Sequence, residues 1–125
     1  MKQVVMRPDY PRTLPFSHAV LASGRLLFIA GQGPVDPSTG KVIAGDFEAQ
    51  ARLTLDNLKA VALAAGTDLS HAVKVNGYLV DMGDFARYNE IYTEYFSGDL
   101  PARTTVQSNL SGMLIEVDAV LVLDD

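Results

Sequence analysis

The segment from Leu114 to Leu123 limits most strongly how this chain can fold, because it is apolar at nearly every position. Only Glu116 and Asp118 interrupt it with charge. A strand that is solvated on one face alternates apolar and polar residues, whereas a strand that is apolar on both sides needs cover on both faces. If helices of the same chain cover one face, another copy must cover the other. We therefore expect a sheet whose second face takes part in self-association.

The rest of the chain predicts the order strand, strand, helix, strand, helix, strand, strand. Two apolar runs, His18 to Ala22 and Arg25 to Ala30, are joined by Ser23-Gly24, which is typical of a two-residue hairpin. The glycine- and proline-rich segment from Gly31 to Gly45 predicts loop and turn. The later strands are expected at Ala72 to Val80, Arg103 to Ser108 and Leu114 to Leu123.

Two helices are expected, one from a cap at Asp46 to Gly66 and one from Met82 to Phe96 with Asp81 as its cap. Their apolar residues recur at helical spacing, with the stripes Ala51, Leu55, Leu58, Ala62 and Ala65, and Phe85, Tyr88, Tyr92 and Phe96. Single helices separated by strands predict an α+β fold, with a mainly antiparallel sheet and both helices on one of its faces.

Composition narrows the class of protein. A chain of 125 residues, 48% hydrophobic and 20% charged, is expected to form a single globular domain over 1–125. It has no cysteine, no apolar stretch of membrane-spanning length and no signal-peptide pattern at its start, which predicts a cytoplasmic protein without a membrane partner. The net charge of −5, with scattered basic residues, argues against a nucleic-acid partner.

Arg103 and Glu116 are the residues that most suggest chemistry. Arg103 follows a helix-ending proline and opens a predicted strand, and its planar guanidinium can bind a carboxylate through two parallel hydrogen bonds. Glu116, on what we expect to be a neighbouring strand, could handle the protons of a small acid. From spacing alone, a surface or interface salt bridge explains Arg103 better. An exposed position on an edge strand explains Glu116 about as well as a functional role does.

Other polar residues give weaker signals. Asn89 lies within the apolar stripe of the second helix, so its amide either braces a loop, the safer interpretation, or points into a site. His18 and His71 lack the spacing of a metal site, and no metal is expected. His18 remains a weak acid–base candidate beside a plain structural role. The tract Gly31-Gln32-Gly33-Pro34 lacks the lysine and following helix of a phosphate loop, which excludes nucleotide binding.

A set of short motifs, none specific alone, occurs in a characteristic order and spacing. It comprises Pro15-Phe16-Ser17-His18-Ala19-Val20, Ala30-Gly31-Gln32-Gly33-Pro34, Asn57-Leu58-Lys59-Ala60, Ala64-Ala65-Gly66, Tyr88-Asn89-Glu90, Pro101-Ala102-Arg103 and Ile115-Glu116-Val117. On these motifs the chain resembles the RidA (YjgF-like) family of reactive-imine deaminases across nearly its whole length.

The resemblance implies a chorismate-mutase-like fold of the bacillary type, with a six-stranded sheet. It also implies a homotrimer whose sheets form a central barrel and whose ligand clefts lie between subunits. In that family the residue matching Arg103 grips the substrate carboxylate, and the one matching Glu116 helps to place and activate the water that attacks the imine carbon. Asn89 would lie at or near the cleft, and the backbone around Thr105 beside the substrate nitrogen. The products would be a 2-keto acid and ammonia, without a cofactor.

Several positions depart from the family pattern. Phe16, Ala30 and Thr105 stand where deaminating members commonly have tyrosine, serine and cysteine, and His18 stands for the usual glutamine. The first two changes each remove a hydroxyl that could bind ligand or water, at a cost of about 1 kcal/mol. Two alternatives therefore stay open: a non-catalytic trimeric protein that binds a 2-keto acid, and a deaminase of another substrate such as an aminomuconate-type acid. Ribonuclease activity, sometimes attached to the family, is disfavoured by the acidic balance.

Overall fold

The computed structural model describes residues 1–124. Eight strands and two α-helices occur within them, together with short 3-10 helices at Leu69–His71 and Met82–Asp84. In chain order the elements are β1 Lys2–Val5, β2 Ala19–Ala22, β3 Arg25–Gln32, β4 Val35–Asp36, β5 Lys41–Val42, α1 Phe47–Ala64, β6 Ala72–Leu79, α2 Phe85–Tyr92, β7 Ala102–Gln107 and β8 Ile115–Leu123. Neither α-helix is long and apolar enough to cross a lipid bilayer.

The main sheet has four strands in the order β3-β8-β6-β7. The pairs β3–β8 and β6–β8 are antiparallel and β6–β7 is parallel, so the expectation of a mainly antiparallel sheet is confirmed. The six-stranded sheet is not formed within residues 1–124, because β1 and β2 make a separate pair that meets β7 only through a bridge between Ser17 and Ala102. The strand β8 lies between β3 and β6 in the main sheet, so the edge position considered for Glu116 is wrong.

The predicted hairpin across Ser23-Gly24 is wrong. β2 pairs with β1, a strand that the sequence analysis did not predict, and β3 pairs with β8. Gly24 has a φ of +132°, and a Cβ there would lie 2.9 Å from the carbonyl oxygen of Leu123. These two residues therefore form a bend pressed against the end of β8, which leads the chain from one sheet into the other.

Helix α1 begins and ends close to where the sequence predicts. The Asp46 carboxylate accepts a hydrogen bond from the Ala49 backbone N–H at 3.0 Å, and Gly66, with a φ of +80°, follows the last turn. Ala65 is exposed instead of buried, because the helix ends at Ala64. The other four residues of the predicted stripe are fully buried: Ala51, Leu55, Leu58 and Ala62.

Helix α2 is shorter than expected. Asp81 accepts from the Gly83 backbone N–H and so caps the 3-10 turn that precedes the helix, and α2 itself spans Phe85–Tyr92. Tyr88 and Tyr92 are fully buried and Phe96 nearly so, whereas Phe85 is half-buried. The predicted burial of Tyr88, Tyr92 and Phe96 is therefore confirmed, although Phe96 lies beyond the end of α2.

The sheet has two unlike faces. Val117 of β8 is directly opposite Gly77 of β6, and Tyr88 of α2 packs against Gly77, so this side is the helix face. Helix α1 packs over β3 and β8 within the same core cluster. Alternation places Glu116 and Asp118 on the other side, which we call the open face. Three of its apolar side chains are exposed, namely Leu26, Phe28 and Val106.

Replacement of Gly77 by alanine is expected to destabilise the fold. A Cβ at this position would lie 2.8 Å from the Tyr88 hydroxyl oxygen and 3.2 Å from its Cζ, so the ring must shift within a packed core. Overpacking costs about 1–3 kcal/mol, which exceeds the roughly 0.5–1 kcal/mol gained by removing glycine from a strand. Urea denaturation of Gly77→Ala should show the net loss of unfolding free energy.

The matched control is the same substitution in a Tyr88→Phe background, where the closest atom is absent. The Tyr88 hydroxyl has no hydrogen-bond partner within residues 1–124, so Tyr88→Phe alone should cost little. We expect Gly77→Ala to cost less in the phenylalanine background than in the parent. Equal costs in the two backgrounds would show that the hydroxyl contact is not the cause.

Candidate active site

Arg103 is buried beneath helix α2. It lies on the helix face of β7, opposite Val75 of β6, and only 8% of the residue is exposed. Its Nη2 donates a hydrogen bond to the Asn89 side-chain oxygen at 2.7 Å. Its Nε and Nη1 are buried and have no partner within residues 1–124. The surface salt bridge considered from the sequence is therefore wrong for Arg103, and the amide oxygen of Asn89 points at the guanidinium.

Four aromatic rings surround the guanidinium. Its central carbon lies 4.7 Å from the ring centre of Tyr92, and the other three rings follow at 5.2 Å for Tyr88, 5.4 Å for Phe16 and 5.6 Å for Phe85. Such contacts are attractive because ring faces carry negative potential. Burial lowers the pKa of Arg103, and the two tyrosines oppose that shift. An arginine nevertheless keeps its charge in proteins, so the site holds a cation without a counter-ion in the described part of the chain.

Further buried polar atoms without partners collect around Arg103. The hydroxyls of Tyr88, Tyr92, Thr105 and Ser17 have no hydrogen-bond partner among residues 1–124. Burial is the main cause that raises the pKa of both tyrosines, which keeps them neutral and able to donate. Native proteins leave few buried polar groups unpaired, so this concentration at one place indicates a ligand site. We call Arg103, Asn89, Thr105 and the four rings the arginine pocket.

Glu116 lies on the open face, half-exposed, in the central strand β8 and not on an edge. Next to it, the pairing of β3 with β8 shifts register between Ile29 and Gln32. A Cβ at Gly31 would lie 2.7 Å from the Glu116 carboxylate oxygen Oε2, so this glycine makes room for the carboxylate. Ala30 is exposed at the same irregularity. Glu116 and Ala30 thus belong to one small region of the open face.

The two leading candidates do not meet within one chain. The sequence predicts Arg103 and Glu116 on neighbouring strands, and this is wrong because β6 lies between β7 and β8. They also lie on opposite faces, because Arg103 shares its face with Val75, whereas Glu116 is opposite Tyr78. One chain therefore places Asn89 and Phe16 against Arg103 and Thr105 on the same face of the sheet, but leaves Glu116 and Ala30 on the other face.

From the sequence, the aromatic residues of the second helix are expected only in the core, and residues 6–14 of the 6–18 segment, which connects β1 to β2, are given no role. The available signal for the pocket was the helical spacing of Phe85, Tyr88 and Tyr92, which precede Arg103 in the sequence. The 6–18 segment lines a cavity of about 370 Å³ with Arg7, Tyr10, Arg12, Phe16 and His18 among its walls. His18 is half-buried, and its Nδ1 accepts from the Arg7 backbone N–H at 3.0 Å, which supports a structural role. No group of three or more potential metal ligands occurs within residues 1–124.

Known proteins share this architecture. The family model described as Endoribonuclease L-PSP matches residues 9–123. A RutC family protein of Pyrococcus horikoshii is 46% identical over 123 residues, covering 96% of this chain and 97% of that protein. The 2-iminobutanoate/2-iminopropanoate deaminase of mouse is 37% identical, with 98% and 92% covered.

Solved structures agree with the sequence relatives. The crystal structure of the conserved Rid-family protein YyfB of Yersinia pestis superimposes with a TM-score of 0.85 and 32% identity, over 98% of each chain. This match covers the main sheet and both helices, and so includes the elements that form the arginine pocket. Since the family model spans most of the chain and the relatives cover nearly all of it, the protein belongs to the YjgF/RutC/RidA family.

Proposed function

We propose that this protein hydrolyses 2-imino acids, or the enamine acids in equilibrium with them, to 2-keto acids and ammonia. In this reaction water adds to the C=N carbon, and the C–N bond then breaks with nitrogen leaving as ammonia. The observation that carries the proposal is the buried guanidinium of Arg103, with two donor atoms unpartnered in the described chain. The name of the mouse relative supports the same chemistry.

Arg103 would bind the substrate carboxylate. Each donating edge of the guanidinium combines Nη2 with either Nε or Nη1, and Nη2 has a second N–H besides the one that it donates to Asn89. One complete edge is therefore left to match the two oxygens of a carboxylate. The Nε and Nη1 atoms are both buried, and the ring of Phe16 lies over the guanidinium. We propose that Phe16 moves aside when the acid binds. Asn89 would hold the fork in place through Nη2, and Thr105 would lie beside the substrate nitrogen.

Glu116 would come from a second copy of the chain. The proposed assembly is a homotrimer in which the open faces form a central barrel and each site lies between subunits. The exposed Leu26, Phe28 and Val106 on the open face support this arrangement, because such side chains favour burial at an interface. The carboxylate of Glu116, near Ala30 of its own chain, would orient the attacking water and take up its proton. The chemistry needs only water and positioned proton acceptors and donors, and no cofactor is proposed.

A trapping assay tests the proposal. An amino-acid oxidase generates 2-iminobutanoate in the presence of semicarbazide, which captures the imine before it hydrolyses spontaneously. We expect the protein to lower the yield of trapped imine and to raise 2-oxobutanoate and ammonia in equal amounts. Trapped imine that stays constant over a wide range of protein concentration would contradict the proposal.

Binding without catalysis is the second candidate. Phe16 and Ala30 lack the hydroxyls common at these positions in deaminating members, and one chain leaves Arg103 and Glu116 on opposite faces. A protein of this kind would bind 2-oxobutanoate in the arginine pocket and rise in melting temperature without diverting imine in the trapping assay.

Gly31→Ala is expected to lower turnover with little change in stability. The new Cβ would displace the end of the Glu116 side chain, which is flexible and half-exposed, so the fold can adjust at small cost. Because the carboxylate no longer lies where it directs water, kcat should fall by roughly 10- to 100-fold, as expected for a misplaced general base. KM for 2-iminobutanoate should change little, since the substrate carboxylate is proposed to bind Arg103 and not Glu116.

Steady-state kinetics and thermal denaturation check this prediction together. The matched control is Gly40→Ala, because nothing lies within 4 Å of a Cβ built at Gly40. Gly40 has a φ of +73°, so that substitution should reduce stability by about 1 kcal/mol while kcat is unchanged. A Gly31→Ala variant with full kcat would show that the position of Glu116 does not matter for turnover.

A further inference from the structure

Arg12, in the 6–18 segment, is a further cation beside the arginine pocket. Arg12 is exposed, and its Nη2 lies 3.3 Å from the sulfur of Met6. A thioether is a weak acceptor and carries no charge, so this contact orients the guanidinium without neutralising it. Within residues 1–124, Arg12 has no ion pair with a carboxylate.

The neighbouring charges in this region are already paired. Arg7 donates two hydrogen bonds to the Asp9 carboxylate, at 3.0 Å and 2.9 Å. Glu90 lies 3.2 Å from Arg87. Among the described residues of this region, Arg12 is therefore the arginine whose charge is not balanced by a carboxylate, and it can attract an anion.

Arg12 borders both cavities that adjoin the arginine pocket. The cavity of about 370 Å³ is lined by Arg12 and by Phe16, whose ring lies over the Arg103 guanidinium. A second cavity of about 450 Å³ is lined by Arg12 and by Asn89, which is bonded to Arg103. A ligand that is bound to Arg103 and extends into either cavity, past Phe16 or past Asn89, would therefore approach Arg12.

We propose that Arg12 determines specificity by binding a second carboxylate, at the far end of the substrate. The preferred substrates are then short dicarboxylic 2-imino acids such as 2-iminosuccinate and 2-iminoglutarate. This inference rests on the proposed function, in which Arg103 holds the carboxylate beside the imine carbon. The reaction does not change: water still adds at the C=N carbon, and the distal carboxylate contributes binding alone.

The test compares 2-iminoglutarate with 2-iminobutanoate, each generated by an oxidase and trapped with semicarbazide. The parent protein should show the higher kcat/KM for 2-iminoglutarate. In Arg12→Ala this preference should fall by about tenfold, as expected for the loss of one charge-assisted hydrogen bond at a partly solvated site. The rate with 2-iminobutanoate should be unchanged, and Arg12→Lys should keep part of the preference. Lys41→Ala is the control for net charge, since Lys41 lines neither cavity, and it should leave the preference intact.

Calorimetric binding of the unreactive products separates this inference from the proposed function. We expect 2-oxoglutarate to bind more tightly than 2-oxobutanoate, and Arg12→Ala to remove the difference. If neither imine is hydrolysed, the proposed deaminase activity is wrong, and the role of Arg12 is decided by this binding comparison. A parent that does not prefer the dicarboxylic ligand, or an Arg12→Ala variant that loses both ligands equally, would overturn the inference.

Discussion

Arg103→Met is expected to abolish hydrolysis of 2-imino acids while the chain still folds. Methionine keeps an unbranched apolar stem among the four rings but removes the guanidinium that is proposed to bind the carboxylate. Truncating one partner of a desolvated charge pair costs about 2–5 kcal/mol. The expected loss in kcat/KM is therefore roughly 30-fold to several thousand-fold. Folding should survive, because the variant also loses a buried cation that has no counter-ion in the described chain.

The measurements are the trapping assay, calorimetric binding of 2-oxobutanoate and a thermal melt. Arg87→Met serves as the matched control: Arg87 lies on helix α2, half-exposed, and pairs with Glu48 and Glu90. Surface pairs of this kind contribute about 0–1 kcal/mol, so its activity should match the parent. An Arg103→Met protein that folds and retains more than half of the parent activity would refute the role of Arg103.

Asn89→Asp is expected to stabilise the fold and to weaken acid binding. The amide oxygen of Asn89 already accepts from Arg103 at 2.7 Å, so a carboxylate at this position becomes a built-in counter-ion. Charge-assisted hydrogen bonds are about twice as strong as neutral ones, and desolvation of the new carboxylate offsets part of the gain. We expect a net rise of about 1 kcal/mol in the free energy of unfolding. The same counter-ion competes with the ligand, so 2-oxobutanoate should bind roughly 10- to 100-fold more weakly.

Asn89→Ala is the matched control, because it removes the hydrogen bond without adding charge. It should lower the free energy of unfolding by about 1 kcal/mol, since Nη2 of Arg103 loses its partner. Acid binding should weaken less than in Asn89→Asp. Opposite stability changes in the two variants, measured by urea denaturation, are the diagnostic pattern. If both variants were destabilised to the same extent, the charge on Arg103 would already be balanced by another group.

Local signals made much of the fold predictable. The cap at Asp46, the glycine after α1 and the period of its buried residues fixed that helix to within two residues at either end. The apolar run from Leu114 to Leu123 predicted the strand β8, although not its place between β3 and β6. Pairing partners were harder, because hydrogen bonds between strands are non-local. Ser23-Gly24 looks like a hairpin turn, yet β2 pairs with a β1 strand near the start of the chain.

The sequence allowed the residues of the candidate site to be predicted, but not their positions relative to one another. Arg103 was identified from its place after a proline expected to end the second helix and from the family resemblance, although α2 ends earlier, at Tyr92. Its burial could not be read from spacing, because it depends on α2 folding over β7 and bringing Asn89 to the guanidinium. Similarly, alternation along β8 separates Glu116 from Val117, but only the register through β6 shows that Glu116 and Arg103 are on opposite faces.

If the buried N–H groups of Arg103 bind small acids as proposed, the lifetime of the folded chain depends on the supply of those acids. Only the folded chain presents these N–H groups, so an acid that binds there raises the free energy of unfolding by mass action, by about 2.7 kcal/mol at a hundredfold excess over its Kd. Proteolysis removes mainly unfolded molecules, and a shift of this size changes their fraction by roughly a hundredfold. The cellular abundance of such a protein would then follow the concentration of the metabolite that it binds.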